Sequence, residues 1–245
     1  MERIIDDSSA VFTALNERVA PVSAARERTL PVPAGFADLF PEGALVRGRS
    51  LSIRGRSATS IAFSLAAPSI AAGSWMATID MPQLGLDAAA ESGIPLDRVV
   101  RIDITDRASA HSTPSTWAEC VAAACDGFDV LLVALSPAAR RLAPATARKV
   151  LSRVRQRGGV LFVLGEPGPL EYDAVIEGCD ERWSGLGAGH GHLRRRQLEV
   201  MASGRRIPAV RRCVVQLPVV DPAASRDALV VSDRDPEPGA LLAVG

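Results

Sequence analysis

The chain has 245 residues, of which 47% are hydrophobic and 23% charged, and its 28 basic and 28 acidic side chains give a formal net charge of zero. This length and apolar content suffice to bury a core in one mid-sized domain with extensions. The sequence excludes a membrane-spanning helix, because it has no run of about 18 apolar residues, and its charged start lacks the order of a signal peptide, so we expect a cytoplasmic protein.

The first 40 residues predict a helix followed by a connector. Apolar residues recur at helical spacing up to about residue 20, and Pro21 ends the pattern. Three prolines and three glycines then mark residues 30–48 as irregular. We therefore assign residues 1–40 to an N-terminal helix and linker.

Strands and helices alternate through the middle of the chain. The predicted strands are SLSIRG, SWMATID, DRVVRIDI, FDVLLVALS and VLFVLGE, and a helical segment separates each strand from the next. Apolar strands alternating with helices indicate a parallel sheet that is buried on both faces. From about Cys179, shorter β-like pieces separated by glycines predict a terminal antiparallel hairpin. The pattern predicts a three-layer αβα core at 41–217, with a mainly parallel sheet.

The end of the chain predicts disorder and separates charges of opposite sign. Residues 218–245 are acidic and rich in proline, which is typical of a disordered tail. Seven basic residues and no acid occupy Arg140 to Arg157, and seven basic residues with one glutamate occupy Arg194 to Arg212. The neutral total therefore hides two basic stretches and an acidic tail.

Cysteine and histidine give no metal-binding pattern. The four cysteines show no CxxC spacing, and isolated cysteines in a cytoplasmic chain are usually small buried hydrophobes. Two of the three histidines form the pair GHGH among glycines, which suits an exposed turn better than a metal site. We expect no metal and no cofactor.

Gly55 lies in the stretch IRGRSATSIAF, where a strand ends and a helix begins. A glycine-bearing loop at such a junction is the usual place for phosphate binding. The chain resembles the RecA-like ATPase core from about Leu39 to Arg212, on the segments GALVRGRSLSIRG, SWMATIDM, AAAESGIPLDRVVRIDI, CDGFDVLLVALSPAA and GGVLFVLGE. The resemblance implies a RecA-like fold in which the phosphate-binding loop begins at Gly55.

The residues that handle nucleotide in RecA-like ATPases are replaced here. A GxxxxGK[ST] loop neutralises phosphate with its lysine and holds Mg²⁺ with its hydroxyl. Ser60, Ile61 and Ala62 stand at the second glycine, lysine and hydroxyl positions, Ala134 at the metal-side carboxylate, and Pro82 at the water-activating glutamate. Three lost contacts of about 1.5 kcal/mol each weaken binding on the order of 10³-fold. We expect no ATP hydrolysis and no enzymatic activity, and we expect Ile61 to be a packing residue.

Among RecA-like proteins without the nucleotide signature, the chain resembles the ImuA and ImuA-prime family. The resemblance includes the short helix from Ala145 to Arg157 and the closing segment WSGLGAGHGHLRRRQLEV. It implies a non-catalytic adaptor in damage-induced mutagenic translesion DNA synthesis. The implied partners are an ImuB-type Y-family polymerase homologue and, indirectly, an error-prone replicative-type polymerase.

The resemblance also implies a partner interface at the sheet edge, on the DRVVRIDI strand and the helix that follows it. Trp117 and Val121 are four residues apart on one helical face, and an aromatic side chain is a common interface anchor. The alternative is that Trp117 covers the core. The residues expected at the interface are Val99, Val100, Ile102, Trp117, Val121 and Ala124.

The basic stretches have two interpretations. Direct DNA binding would use Arg153 and Arg157 on a surface helix together with Arg194, Arg195 and Arg196, and affinity would then fall steeply with salt. The alternative is a solvated arginine-rich face. No aromatic residues are interleaved with these arginines in the sequence, so the pattern itself does not indicate stacking on bases.

Other functions stay open at this point. A SulA-type cell-division inhibitor also resembles a RecA-like core without ATPase residues, although this chain is longer. A weak DNA-binding or nucleotide-binding RecA paralogue is a further alternative. An unconventional enzyme site would use Asp80, Asp103 and Asp106, which lie at or near the carboxyl ends of predicted strands.

Overall fold

A computed structural model describes residues 28–104, 113–137, 139–165, 168–186 and 191–217. The predicted N-terminal helix, the acidic tail and Asp106 lie outside these residues. The helices are α1 (Ala34–Ala37), α2 (Ala58–Ala71), α3 (Leu86–Glu91), α4 (Pro114–Ala124) and α5 (Pro144–Arg157). The strands are β1 (Thr29–Leu30), β2 (Leu45–Val46), β3 (Ser50–Gly55), β4 (Met76–Ile79), β5 (Val99–Ile102), β6 (Val130–Ala134), β7 (Val160–Leu164), β8 (Ala174–Leu186), β9 (Gly191–Ser203) and β10 (Arg211–Leu217).

The main sheet has eight strands in the order β10-β9-β8-β3-β7-β6-β4-β5. Strands β3 to β7 pair in parallel, and β8 is parallel to β3. On its other side β8 pairs antiparallel with β9, which pairs antiparallel with β10. The prediction of an α/β fold with a mainly parallel sheet and a C-terminal antiparallel hairpin is confirmed. The hairpin is larger than predicted, since β8 begins at Ala174 and a third strand follows β9.

Hydrophobic residues cover both faces of the sheet, which explains why its strands are continuously apolar. In β6, Val130 and Leu132 point into one core cluster and Leu131 and Val133 into the other. The first cluster includes buried residues of α1, α2 and α3, and the second includes those of α4 and α5. The strands therefore form the middle layer between two helical layers.

The segment predicted as a connector contributes to the core. Phe36 and Leu39 are fully buried in and beside α1, and they pack in the same cluster as Val215 and Leu217 of β10. Strands β1 and β2 pair with each other as a small separate sheet. The prolines and glycines of this segment interrupt regular structure without keeping its aromatic side chains out of the interior.

The ends of α4 and α5 follow ordinary capping rules. Thr113 accepts a hydrogen bond from the Thr116 backbone N–H at 3.1 Å, and Pro114 opens α4. Gly158 ends α5 with a φ of 72°, a conformation that favours glycine.

Within the described residues, none of the helices combines the length and the apolar character that a membrane crossing requires.

Candidate functional site at the end of β3

The connection from β3 to α2 is very short. β3 ends at Gly55 with a φ of 76° and α2 begins at Ala58, so only Arg56 and Ser57 lie between them. Ser57 also has a positive φ of 56°. The residues at the second glycine, lysine and hydroxyl positions of the phosphate-loop pattern, namely Ser60, Ile61 and Ala62, all lie within α2. Ile61 is 0% and Ala62 1% exposed, so both side chains pack in the core.

The turn lies directly against β8. The Arg56 backbone N–H donates to the Gly178 carbonyl oxygen at 2.9 Å. A Cβ atom on Gly178 would lie 1.9 Å from the Arg56 carbonyl oxygen, and one on Gly55 would lie 2.4 Å from the Gly178 oxygen. Both positions therefore require glycine, because the backbones approach too closely for any side chain.

An ion pair between Glu181 of β8 and Arg196 of β9 lies beside this turn. The Ser57 hydroxyl donates to Glu181 Oε2 at 3.3 Å, and Arg196 Nη2 donates to Ser60 Oγ at 2.7 Å. Arg196 Nη1 lies 3.5 Å from Glu181 Oε1, and the side chains of Arg196 and Glu181 are only 19% and 13% exposed. The start of α2, which favours an anion, thus faces a carboxylate of the chain itself.

Trp183 extends this cluster toward solvent. The hairpin register places Trp183 opposite Arg196, and the Arg196 guanidinium carbon lies 5.1 Å from the indole ring centroid. This is a cation–π contact, yet 50% of Trp183 remains exposed. The sequence interpretation missed the pair because the two residues become neighbours only through the register of the hairpin.

The carboxyl ends of the other parallel strands offer few side chains suited to catalysis or metal binding. Ala134 ends β6 and Pro82 lies exposed in the turn after β4, and neither side chain can bind a metal ion or activate water. Asp80 has a φ of 57°, and its Oδ1 accepts from the Ile104 backbone N–H at 3.3 Å. Asp103 pairs with Arg101 at 3.1 Å. Among the described residues, no three metal-ligating side chains come together.

The comparison with known families concerns the same part of the molecule. A family model described as the MT3502 N-terminal domain matches residues 38–169, which is more than half of the chain. The chain belongs to the MT3502 N-terminal domain family. A protein of Mycobacterium tuberculosis described as "Uncharacterized protein Rv3395c" is 32% identical over 162 residues, covering 65% of this chain and 72% of the relative.

The range matched to the MT3502 N-terminal domain includes only part of the site. It contains β2 to β7, and with them the turn after Gly55 and the positions of Pro82 and Ala134. It ends before β8, so Glu181 and Arg196 lie outside it. The family model therefore covers the turn, whereas the ion pair beside it comes from the hairpin that follows.

In the MT3502 N-terminal domain, three of the expected interface residues are core residues. Trp117 and Val121 are 0% exposed and Ala124 is 5% exposed, and all three pack in the core cluster beneath α4. They cannot anchor a partner at the surface of the folded domain, so the alternative position of Trp117, over the core, is the observed one. Trp117 Nε1 is buried without a hydrogen-bond partner among the described residues.

The strand part of the expected interface remains accessible. Val100 is 37% exposed on β5, and Val99 and Ile102 beside it are partly buried. β5 is the last strand of the main sheet and pairs only with β4 among the described residues. This edge is the accessible part of the interface that the resemblance implies.

The candidate DNA-binding arginines fall on two different elements. Arg153 and Arg157 of α5 both pair with Asp126. These two arginines hold the pKa of the Asp126 carboxyl below its usual range, chiefly through the hydrogen bond from Arg153. Arg194, Arg195 and Arg196 lie on β9, where Arg195 is opposite Ser184. Because α5 packs in one core cluster and Arg196 contacts Ser60 of α2, which packs in the other, Arg196 does not share a surface with Arg153 and Arg157.

The four cysteines of the chain are not activated nucleophiles. Burial, with a smaller contribution from Asp126, raises the pKa of Cys125 to about 11. Burial, with a smaller contribution from Asp38, raises the pKa of Cys213 to about 11. Burial also raises the pKa of Cys120 and Cys179. The thiols therefore stay protonated at neutral pH, and the thiolate needed for nucleophilic attack is scarce.

Removing Arg196 tests the ion pair beside the turn. We expect Arg196→Ala to lower the free energy of unfolding by about 2 to 3 kcal/mol, because it leaves the poorly exposed Glu181 carboxylate unpaired. Arg212→Ala is the matched control, since Arg212 is 62% exposed and pairs with Glu199 on the open face of β9. The control should cost less than about 1 kcal/mol. Equal losses in urea denaturation would contradict the assignment.

Proposed function

We propose that the chain is a non-catalytic RecA-like adaptor in damage-induced mutagenic translesion DNA synthesis, and that it binds an ImuB-type Y-family polymerase homologue. Through this partner it would act with an error-prone replicative-type polymerase. The observation that carries the proposal is the turn after Gly55. It stands where a phosphate-binding loop would stand, and the Glu181–Arg196 pair of the chain itself lies beside it.

The arrangement of the core supports the RecA-like part of the proposal. β3 ends in a glycine turn and continues into α2, as in phosphate-binding α/β cores. The strand that ends at Ala134 is parallel to β3 in the same sheet and is separated from it by β7. Ala134, at the metal-carboxylate position, and the turn after Gly55, at the phosphate-loop position, therefore both lie at the carboxyl ends of the parallel strands.

The same site argues for a function without catalysis. Two residues between β3 and α2 give too few backbone N–H groups to surround a triphosphate. An anion approaching the start of α2 would meet the Glu181 carboxylate, which already accepts a hydrogen bond from Ser57. A nucleotide would have to break this hydrogen bond, and its phosphates would be repelled by the Glu181 carboxylate. The turn has no lysine that could offset this repulsion.

The exposed edge at β5 supports a binding role. A strand with one unpaired side can accept a further strand from a partner, whose main-chain hydrogen bonds supply affinity. β5 offers apolar Val100 beside the charged Arg101, and no described segment covers its outer side. We assign the ImuB-type partner to this edge.

A pull-down with the purified chain tests the proposed function. The chain should retain a purified ImuB-type homologue and should not retain FtsZ. Retention of FtsZ alone would favour a SulA-type inhibitor and overturn the adaptor proposal.

Substituting the exposed valine of β5 tests the position of the interface. We expect Val100→Glu to weaken binding of the ImuB-type partner at least about tenfold, because a charge would be placed in a contact between strands. Val214→Glu is the matched control, since Val214 is 59% exposed on β10 at the opposite edge of the sheet. The control should bind as the unmodified chain does. If both variants bind normally, and both unfold like the unmodified chain, β5 is not the interface.

A further inference from the structure

We propose that a pocket beside the start of β3 binds a monocarboxylate with a short apolar group, and that Arg49 supplies the opposite charge. This inference goes beyond the adaptor function. The pocket lies at the amino end of β3, whereas the turn after Gly55 lies at its carboxyl end, and three strands separate β3 from β5 in the sheet. Each proposal can therefore fail without the other.

The pocket is formed where four parts of the chain meet at this end of the sheet. They are the segment after α1, strand β2, strand β3 and the turn after β9, and they contribute the apolar walls Phe40, Leu45, Leu51 and Ile207, each at most 6% exposed. The space is partly open to solvent and has a volume of about 30 Å³. A water molecule requires about 10 to 15 Å³ on the same measure, so the space can accept a carboxylate group.

Arg49 is the residue of this pocket that points to an anion. Its side chain is only partly exposed, its Nη1 atom is buried, and it forms no hydrogen bond, ion pair or ring contact among the described residues. Every other described arginine side chain that is not exposed has such a contact. A partly buried guanidinium without a partner costs free energy, because it loses water and gains no acceptor. A ligand carboxylate would supply both the acceptor and the opposite charge.

The buried acid of the pocket, Asp173, is held by other groups. Its Oδ2 accepts from the Ser50 backbone N–H at 3.1 Å. Its Oδ1 lies 3.5 Å from Arg205 Nη2 and 3.9 Å from Arg206 Nε. Asp173 therefore does not neutralise Arg49. Arg206 also lines the pocket and its side chain is 62% exposed, so it can make a second contact with the ligand.

The lining favours a monocarboxylate over phosphate. Asp173 and Glu42 both line the pocket, so a group with two negative charges would be repelled more strongly than a group with one. The apolar walls favour a charged group that is attached to a hydrocarbon. A water molecule can accept a hydrogen bond from Arg49, but it does not neutralise the charge. A free aliphatic acid and the carboxyl terminus of a peptide that ends in an aliphatic residue share the required chemistry.

Titration of the full chain with isovalerate tests the proposal, with the chemical shifts of the Leu51 and Ile207 backbone amides as the measurement. We expect saturable changes at both amides. Isovaleramide, which has the same shape without the charge, should bind at least about tenfold more weakly. N-acetylvaline is titrated in parallel, and the tighter of the two acids identifies the source of the carboxylate as a free acid or a peptide carboxyl terminus.

Arg49→Met removes the charge and keeps most of the length of the side chain. We expect this variant to bind isovalerate at least about tenfold more weakly than the unmodified chain does. Its melting temperature should be unchanged or higher, because an unpaired and partly buried charge has been removed. Its binding to the ImuB-type partner should be unchanged, since the pocket does not include β5.

Arg47→Met is the matched control. Arg47 lies two residues earlier, its side chain is 28% exposed, and it pairs with Asp129 at 2.7 Å, but it does not line the pocket. This variant should bind isovalerate as the unmodified chain does. Its melting temperature should fall by about 2 to 4 °C, because it leaves Asp129 without its partner.

Four results would overturn the proposal. One is the absence of saturable changes with either acid at up to about 50 mM. Another is equal binding of isovalerate and isovaleramide, or equal binding of isovalerate by Arg49→Met and the unmodified chain. The third is displacement of isovalerate by inorganic phosphate at a lower concentration, which would identify a site for anions in general. The fourth is a melting temperature of Arg49→Met as low as that of Arg47→Met, which would show that Arg49 has a partner within the chain.

Discussion

Replacing Trp117 with alanine is expected to lower the free energy of unfolding by about 3 to 5 kcal/mol. The indole is 0% exposed and packs with Val121 and Ala118 of α4 in the core cluster on that face of the sheet. The substitution leaves a cavity the size of most of an indole, and the rigid sheet beneath it has little freedom to fill the space. Urea denaturation followed by circular dichroism measures the loss.

Trp75→Ala is the control for this variant. Trp75 is 42% exposed, so its removal deletes chiefly the contact with Arg98, which contributes about 0.5 to 1 kcal/mol. If Trp117→Ala is destabilised no more than this control, Trp117 does not lie in the core. The hypothesis that it anchors a partner at the surface would then return.

Gly178→Ala is expected to cost about 3 kcal/mol or more, although it adds only one methyl group. The methyl carbon would lie 1.9 Å from the Arg56 carbonyl oxygen and 2.9 Å from the Arg56 carbonyl carbon. Both are backbone atoms of the turn, so no side-chain rotation relieves the overlap, and β8 must move away from β3. The variant should lose stability and should weaken the contact between Arg56 and Gly178, which amide hydrogen exchange measures.

Gly127→Ala is the control, because a methyl group at Gly127 would have no neighbour within 4 Å. We expect it to change the free energy of unfolding by less than about 0.5 kcal/mol. A Gly178→Ala variant as stable as this control would show that the turn does not pack against β8. The requirement for glycine at residues 55 and 178, which follows from that packing, would then be wrong.

The parallel core could be predicted from the sequence because burial on both faces leaves a local signal. Strands such as Val130–Ala134 and Val160–Leu164 are apolar throughout, and the amphipathic helix Pro144–Arg157 begins with proline and ends before glycine. The turn from strand to helix after Gly55 and the packing of Ile61 in the core could also be predicted, since they depend on residue type at fixed spacing. These features need no knowledge of distant contacts.

The rest depends on contacts between residues that are far apart in the sequence. Glu181 and Arg196 meet Ser57 and Ser60 only because β8 lies next to β3. The requirement for glycine at 178 arises from the same approach. The sequence left Trp117 with two possible positions, a partner interface and the core, because helical spacing shows which residues share a face but not whether that face points into the core.

The hairpin also limits what the family match can explain. The match to the MT3502 N-terminal domain ends at residue 169, whereas β8, β9 and β10 complete the sheet and supply the ion pair. Without them, the turn after Gly55 would have no carboxylate beside it. The carboxylate that faces the start of α2 is therefore supplied by the part of the chain outside the match, and the adaptor function that we propose depends on both parts.

Calorimetric titration of the purified chain with a purified ImuB-type homologue, repeated in the presence of ATP and Mg²⁺, tests this function most directly. We predict saturable binding with the same affinity in both conditions, and no heat of binding when ATP and Mg²⁺ are titrated into the chain alone. Saturable binding of ATP to the chain, with no binding of the ImuB-type homologue in either condition, would contradict the account.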